Sequence, residues 1–170
     1  REDLFYKVDK YKSASYYKSF LNKSRNVGSV QQNFLLKDNL TERDYKGLTD
    51  LMDYCRKERL KTLFVVIPQG EKSIDRAGKQ NTTVSMLEEN GFDVLDLRRY
   101  VNEIGLDAGT DFYNYQHMNI NGAKKITDFL SEYLIGNYGF SDKRGDSAYT
   151  DWSVAVEDYN AYLKDNMKLK

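Results

Sequence analysis

Histidine is the side chain best suited to proton transfer near neutral pH, and this chain of 170 residues has a single one, His117. His117 follows a polar turn that begins at Asn114, and it precedes a run with helical spacing that begins at Asn121. A loop next to a buried helix can direct an imidazole ring into a cleft while the helix holds it in place. His117 is therefore a candidate general base. The alternative is a loop histidine that only hydrogen-bonds to the backbone.

The stretch from Phe112 to Leu134, FYNYQHMNINGAKKITDFLSEYL, resembles the last motif block of the SGNH (GDSL-type) hydrolases and acyltransferases. It is most similar to cell-surface members whose block reads approximately FYD-x-x-H-L-N-x-x-G-A-x-K. The resemblance implies that His117 is the catalytic base. The acid of the family, three residues before the histidine, falls on Asn114. An amide oxygen can accept a hydrogen bond from the ring but carries no charge to stabilise an imidazolium. Asp111 could replace the acid only if the loop turns its side chain inward.

The resemblance also implies a serine nucleophile, and a Gly-Asp-Ser triplet does end at Ser147. In SGNH proteins that triplet follows the first strand and leads into the first helix, whereas the polar sequence FSDKR precedes it here. We therefore interpret Ser147 as a turn or helix-capping residue. No other serine has a strand-turn-helix context, and no Gly-x-Asn-Asp motif supplies an oxyanion hole. The nucleophile and the oxyanion donors are expected upstream of Arg1, or were never present.

The elements that must hold the histidine loop follow from hydrophobic periodicity. The sequence TLFVVIP predicts a buried strand at Leu63–Ile67, covered on both faces, and FDVLDL predicts a second strand at Asp93–Leu97. Spacings of three and four predict helices at Glu42–Arg59, Asn121–Ile135 and Asp151–Lys164. Strand, crossover helix and strand in this order indicate parallel pairing and the α/β class.

Shorter or weaker patterns predict three further helices, and two predictions concern packing. The helices are expected at about Ser13–Leu21, at about Thr82–Asn90, and from Arg98 to Ile104.

The C-terminal helix is expected to pack on the outside of the sheet. The single cysteine, Cys55, excludes an internal disulfide and is expected to lie inward on its helix.

Together with the resemblance, these elements predict a three-layer α/β sandwich with a parallel sheet, SGNH-hydrolase-like (flavodoxin-like) and incomplete at its N-terminus. Residues 1–170 then form one domain or its C-terminal portion, with the resemblance covering Thr41 to Lys164. Two strands leave an exposed edge at Leu63–Ile67. We expect that edge to be covered by the N-terminal segment through Phe34–Leu36, by a second copy of the chain, or by an upstream segment.

Composition removes several classes of function. Basic and acidic residues balance, 26 against 26, so no overall field favours nucleic acid. One histidine, one cysteine and scattered carboxylates give no metal-ligand spacing, and no glycine-rich phosphate loop indicates a cofactor. The longest apolar run, Leu63–Ile67, is far shorter than the roughly 20 residues that cross a bilayer. The 14 tyrosines are typical of half-buried surfaces or of a carbohydrate-contacting face.

The resemblance implies a serine acyl-esterase or O-acyltransferase that acts on acyl groups of surface glycans or related small esters. It also implies an extracytoplasmic or cell-surface location and a membrane-bound acyltransferase as a partner. We expect this chain alone to be inactive. The alternative function is a non-catalytic binding or assembly module that kept the scaffold and lost the acid, as the residue type at Asn114 suggests.

Overall fold

The computed structural model describes residues 24–71 and 77–166. Over these residues the fold is mixed α/β, with five α-helices and a two-stranded parallel sheet. Two 3₁₀ turns, Leu97–Tyr100 and Ser147–Tyr149, also lie within them. The elements in chain order are α1 (Glu42–Lys57), β1 (Leu63–Val66), α2 (Ala77–Glu89), β2 (Asp93–Asp96), α3 (Val101–Ile104), α4 (Ile120–Tyr138) and α5 (Thr150–Asn166).

The main predicted elements are confirmed, because each has a strong local signal. Both strands and the helices α1, α4 and α5 begin and end within three residues of their predicted bounds. Helix α2 begins earlier than predicted, at Ala77. The predicted helix from Arg98 to Ile104 is a 3₁₀ turn followed by the short helix α3, which ends at Gly105 with φ of 68°. The helix predicted at about Ser13–Leu21 lies outside the described residues.

Helix α1 has the chemistry of a well-terminated surface helix. The Thr41 side chain caps it by accepting a hydrogen bond from the Asp44 backbone N–H at 3.1 Å. Acidic residues occupy the first turn and basic residues the last, which complements the helix dipole. Met52 and Cys55 are its buried side chains, which confirms that Cys55 points inward.

The two strands pair in parallel, as predicted, with Leu63 opposite Asp93 and Val66 opposite Asp96. The core cluster contains Leu95 together with buried side chains of the β2–α3 region and of α4, and Leu63 and Val65 pack against it. The prediction that β1 is buried on both faces is wrong, since all four of its side chains are only half-buried. Within the described residues β1 has one neighbouring strand, and only alternate residues of β1, Leu63 and Val65, pack against the core cluster.

The predicted packing of α5 on the sheet is also wrong. Every α5 side chain whose burial is described is exposed, including those of Trp152, Val154 and Val156. The apolar spacing that predicts this helix is real. However, the α5 side chains whose burial is described remain in contact with solvent, and the core cluster takes its residues from the β2–α3 region and α4.

The run Phe34–Leu36 does not cover β1, contrary to expectation. The Asn81 side-chain amide of α2 donates to the backbone carbonyls of Asn33 at 2.9 Å and Leu36 at 2.8 Å. These bonds hold the run beside α2, where Leu35 is 93% exposed. The described N-terminal segment meets the β1 region only beyond the strand, through an isolated antiparallel bridge between Val30 and Gly70.

A buried ion pair fastens this segment to the carboxyl end of β2. Arg98 binds the Asp96 carboxylate with two nitrogens, Nε at 2.8 Å and Nη2 at 2.6 Å. The side chains are 1% and 3% exposed. The Nη1 atom of Arg98 lies 3.4 Å from Gln31 Oε1, and the Arg98 guanidinium stacks 5.2 Å from the Phe34 ring centroid. Charge pairing, hydrogen bonding and stacking thus converge on one guanidinium.

Replacing Arg98 with Met tests this arrangement, because it removes the buried cation. The buried Asp96 carboxylate then keeps only the exposed Arg99 as a nearby cation. We expect Arg98→Met to lower the free energy of unfolding by about 3–5 kcal/mol. The matched control is Arg99→Met, since Arg99 is 55% exposed and lies 3.8 Å from the same carboxylate. The control should cost less than about 1 kcal/mol in urea unfolding. Equal losses for the two variants would contradict a central role for the buried pair.

Candidate functional site

The loop that carries His117, residues 112–118 (the histidine loop), lies at the carboxyl end of β1. It closes through an antiparallel bridge between Phe112 and Met118, and the Tyr113 backbone N–H donates to the His117 carbonyl at 2.9 Å. The Tyr115 carbonyl accepts a hydrogen bond from the Gly70 N–H at 2.8 Å, four residues beyond the last residue of β1. Open parallel α/β sheets bind their ligands outside the carboxyl ends of the strands. The loop therefore occupies the edge at which such a site is expected.

Asn114 organises this loop through one atom. Its Oδ1 accepts hydrogen bonds from the backbone N–H groups of Gln116 at 2.8 Å and His117 at 2.9 Å. The same Oδ1 lies 3.0 Å from His117 Nδ1. Backbone N–H groups can only donate, so the atom that they contact must be the amide oxygen. The Nδ1 atom that faces it consequently carries the proton, and in the neutral ring Nε2 is the nitrogen with the basic lone pair.

Asp111, the other candidate acid, is directed elsewhere. Its Oδ2 accepts hydrogen bonds from the Asp107 backbone N–H and from Lys125 Nζ, both at 2.7 Å, and its Oδ1 accepts from Thr110 Oγ1 at 3.2 Å. The Asp111 side chain is 2% exposed. The structure thus brings Asn114 to His117 and pairs Asp111 with a lysine of α4. The turn at 107–111 points the Asp111 carboxylate toward α4. It could replace the missing acid only if it pointed toward His117, and the structure pairs it with Lys125 instead.

Asn119 is a site-supporting residue that the sequence interpretation missed. Its Oδ1 caps α4 by accepting from the N–H groups of Asn121 at 3.0 Å and Gly122 at 3.2 Å, while its Nδ2 donates to the Thr110 carbonyl at 2.5 Å. A Cβ at Gly122 would collide with the Asp111 carbonyl oxygen, so a side chain there would push the loop away from the helix. An Asn directly before a helical run is a recognisable N-cap signal and could have identified it.

The N-terminal segment also supports the loop. Arg25 donates from its backbone N–H to the Phe112 carbonyl at 2.8 Å, and its guanidinium stacks 4.8 Å from the centroid of the Tyr115 ring. Gly70 lets the N-terminal segment pack close to the backbone beyond β1, because a Cβ at position 70 would lie 2.7 Å from Val27 Cβ. No sequence pattern indicates these contacts, since they join parts of the chain that are tens of residues apart.

Ser147 lies in the 3₁₀ turn before α5, where the Asp146 side chain accepts from the Ala148 N–H at 3.0 Å. Its interpretation as a turn residue is confirmed. In residues 24–71 and 77–166, no group of three His, Cys, Asp or Glu side chains could hold a metal ion. No helix in those ranges is long and apolar enough to cross a membrane.

Comparisons of this chain with protein-family models, with curated proteins and with solved structures find no match. The geometry of the loop therefore carries the functional argument.

The proton position on His117 can be measured directly. We expect ¹⁵N NMR of the neutral ring to show predominantly the Nδ1–H tautomer, because Asn114 Oδ1 is a fixed acceptor 3.0 Å away. Asn114→Ala removes the acceptor and should shift the population toward Nε2–H. Gln116→Ala is the control, since that residue contributes its backbone N–H to the turn and should leave the ring unchanged. A ring that is mainly Nε2–H in the unmodified protein would contradict the assignment.

The pair of adjacent lysines on α4 tests how much the buried carboxylate matters to the loop. Lys125→Met leaves the Asp111 carboxylate without its cation, and we expect a loss of about 1–3 kcal/mol in unfolding free energy. Lys124→Met removes only an exposed pair with Asp128 and should cost less than about 1 kcal/mol. Hydrogen exchange at residues 111–119 should accelerate in Lys125→Met alone. Unchanged exchange there would mean that the pair does not anchor the loop.

Proposed function

We propose that this chain carries the histidine part of an SGNH-like acyl-esterase or O-acyltransferase site that acts on acyl groups of surface glycans or related small esters. The observation that carries the proposal is the 3.0 Å contact between His117 Nδ1 and Asn114 Oδ1, at the carboxyl end of a parallel strand. A three-layer, flavodoxin-like sandwich belongs to the same proposal. The parallel pairing of β1 and β2 and the packing of α4 on them support it.

In this mechanism His117 transfers one proton in each half-reaction. Its Nε2 takes the proton of a serine hydroxyl while the serine oxygen attacks the ester carbonyl, and the resulting imidazolium returns that proton to the leaving alcohol. A water or an acceptor alcohol then attacks the acyl-serine with the same proton transfers in reverse. The serine itself is not assigned among the described residues.

Asn114 has a defined part in this scheme. Its fixed oxygen selects the Nδ1–H tautomer, which leaves Nε2 as the basic nitrogen, and thereby orients the base. It supplies no negative charge to the imidazolium, and in triads of this kind the charge contributes orders of magnitude to the rate. The proposed site is therefore a weakened catalyst.

The proposal also includes an extracytoplasmic or cell-surface location, with an acylated glycan as substrate and a membrane-bound acyltransferase as partner. The support is the similarity of the histidine segment to cell-surface family members. A second copy of the chain or an upstream segment covering β1 is part of the same proposal. The half-buried side chains of β1 support it, since an additional neighbour would bury them further.

A non-catalytic binding or assembly module is the second candidate function. Two observations favour it. The residue beside the imidazole is an uncharged amide, and the carboxylate of Asp111 is engaged by Lys125. In a non-catalytic module the loop would contribute a binding surface and would not transfer protons.

The first test uses the 170-residue chain by itself. We expect no turnover of p-nitrophenyl acetate beyond that of the His117→Ala variant, and no stoichiometric labelling by a fluorophosphonate serine probe. The physical reason is that no serine of the sequence has the context of an activated nucleophile. Stoichiometric labelling of a serine that His117→Ala abolishes would show that this chain holds a complete site, contrary to the prediction.

The second test separates the two candidate functions in the longest natural form of the chain. Asn114→Asp keeps the shape and adds the missing charge, so a weakened enzyme should gain at least about tenfold in esterase rate. Gln116→Glu is the matched control, because it adds the same charge to the loop two residues away. A gain in Asn114→Asp alone supports the acyl-transfer function, whereas equal rates in all forms support the binding module.

A further inference from the structure

The face of α5 that points to solvent forms one wall of a cavity of about 550 Å³. Its apolar surface comes from Trp152 and Val156 of α5 and from Tyr149, which lies in the 3₁₀ turn before the helix. Trp152 is 59% exposed and Tyr149 is 40% exposed. Isolated exposed aromatic residues are common, but two rings and a valine lining one concavity are not explained by packing of the described core. Volumes of roughly 300–1,000 Å³ are typical of small-molecule sites.

Helix geometry accounts for the way in which this wall is assembled. Residues three or four positions apart lie on the same side of a helix, so Trp152 and Val156 are neighbours and Ser153 and Glu157 lie beside them. The opposite wall comes from residues 142–144, which precede the helix in the chain. The site is therefore built from one contiguous segment of sequence and does not share a lining residue with the histidine loop.

The polar groups of the cavity balance in charge. Arg144 binds Asp142 through Nε at 2.9 and 2.8 Å and through Nη2 at 2.5 Å. These hydrogen bonds lower the pKa of the Asp142 carboxyl to about 2, so it stays ionised near neutral pH. Lys143 Nζ lies 5.9 Å from the Tyr149 ring centroid. With Glu157, the lining has two cations and two anions, so it contains both hydrogen-bond donors and hydrogen-bond acceptors.

We propose that this cavity binds a neutral sugar ring of a glycan chain. A pyranose has an apolar C–H face and a rim of hydroxyl groups, and each hydroxyl both donates and accepts hydrogen bonds. The Trp152 and Tyr149 rings match the apolar face, while Ser153 and the four charged side chains match the rim. The proposal goes beyond acyl transfer at His117 and does not depend on it.

Two other classes of ligand fit less well. An anionic ligand would approach the Asp142 and Glu157 carboxylates, and their repulsion would offset its attraction to Arg144 and Lys143. A purely apolar partner would cover Ser153 and part of the charged rim without replacing the hydrogen bonds that water makes there, which is unfavourable. A neutral polyhydroxylated ligand avoids both costs.

Trp152 is the only tryptophan of the chain, so its fluorescence reports on this cavity alone. The probes are maltotriose, cellotriose and the trimer of N-acetylglucosamine, each titrated into the full chain. We expect a saturable change in emission for at least one of them, with a Kd of about 1 mM or lower. Tyr149→Ala should weaken binding at least about tenfold, corresponding to the loss of about 1.4 kcal/mol. Tyr54→Ala, which truncates a similarly exposed tyrosine on α1, is the control and should bind as the unmodified chain does.

Three results would overturn the proposal. The first is the absence of saturation by all three trisaccharides at about 10 mM, an order of magnitude above the expected Kd. The second is binding of glucose 6-phosphate that is tighter than that of the neutral sugars, which indicates an anion site. The third is binding of an anilinonaphthalene sulfonate dye that no sugar displaces, which indicates an apolar docking surface for a protein.

Two further variants separate binding from folding and from acyl transfer. Glu157→Gln keeps the size of the side chain and removes one charge, so it should weaken sugar binding several-fold while the circular dichroism spectrum stays unchanged. His117→Ala should leave sugar binding intact. A loss of binding in His117→Ala would show that the two sites are one, against the proposal.

Discussion

The buried pair between Asp96 and Arg98 is the interaction on which the described arrangement depends. Two ionised groups removed from water are costly unless geometry and additional hydrogen bonds compensate, and here the two-nitrogen contact, Gln31 and the Phe34 ring all converge on Arg98. The pair thereby holds an otherwise irregular segment at the carboxyl end of β2. From this anchor the segment runs back toward Val30 and Gly70, and through Arg25 it contacts the histidine loop.

Asparagine amides take over where regular structure ends. Asn114 shapes the histidine turn, Asn119 begins α4, and Asn81 holds the carbonyls of the N-terminal segment. Buried backbone groups require hydrogen-bond partners, and each of these amides supplies partners where regular secondary structure does not. Two buried acceptors, Gln69 Oε1 and Asn81 Oδ1, have no hydrogen-bond partner within the described structure. Gln69 and Asn81 both lie along the path of that segment.

The histidine loop and the α5 cavity differ in how they are supported. The loop is held by the Asp111–Lys125 pair, by Arg25 and by the hydrogen bond from the Gly70 N–H to the Tyr115 carbonyl, so its geometry depends on three other parts of the chain. The cavity is assembled from a turn and the helix that follows it, and its shape is mostly local. An arrangement of the first kind fixes an orientation, which the proposed proton transfer at His117 requires. A site of the second kind is suited to binding a ligand from solvent.

Much of the fold was predictable because its signals are local. The spacing of apolar residues gave α1, α4 and both strands, Thr41 marked the start of α1, and the i, i+3 separation placed Asn114 within reach of His117. Contacts within one turn or one helix depend on few backbone angles, so residue types and spacing determine them. The sequence by itself therefore determined the elements, the candidate base and the residue beside it.

Only the tertiary structure decided which surfaces meet. The direction of Asp111 toward Lys125, the docking of Phe34 on Arg98 and the exposure of α5 all differ from or exceed what periodicity indicates. An apolar stripe shows that a helix can bury one face, but it does not identify a partner for that face. The Asp111 carboxylate meets a lysine of the next helix, 14 positions away, and that proximity arises only when the helix packs against the loop.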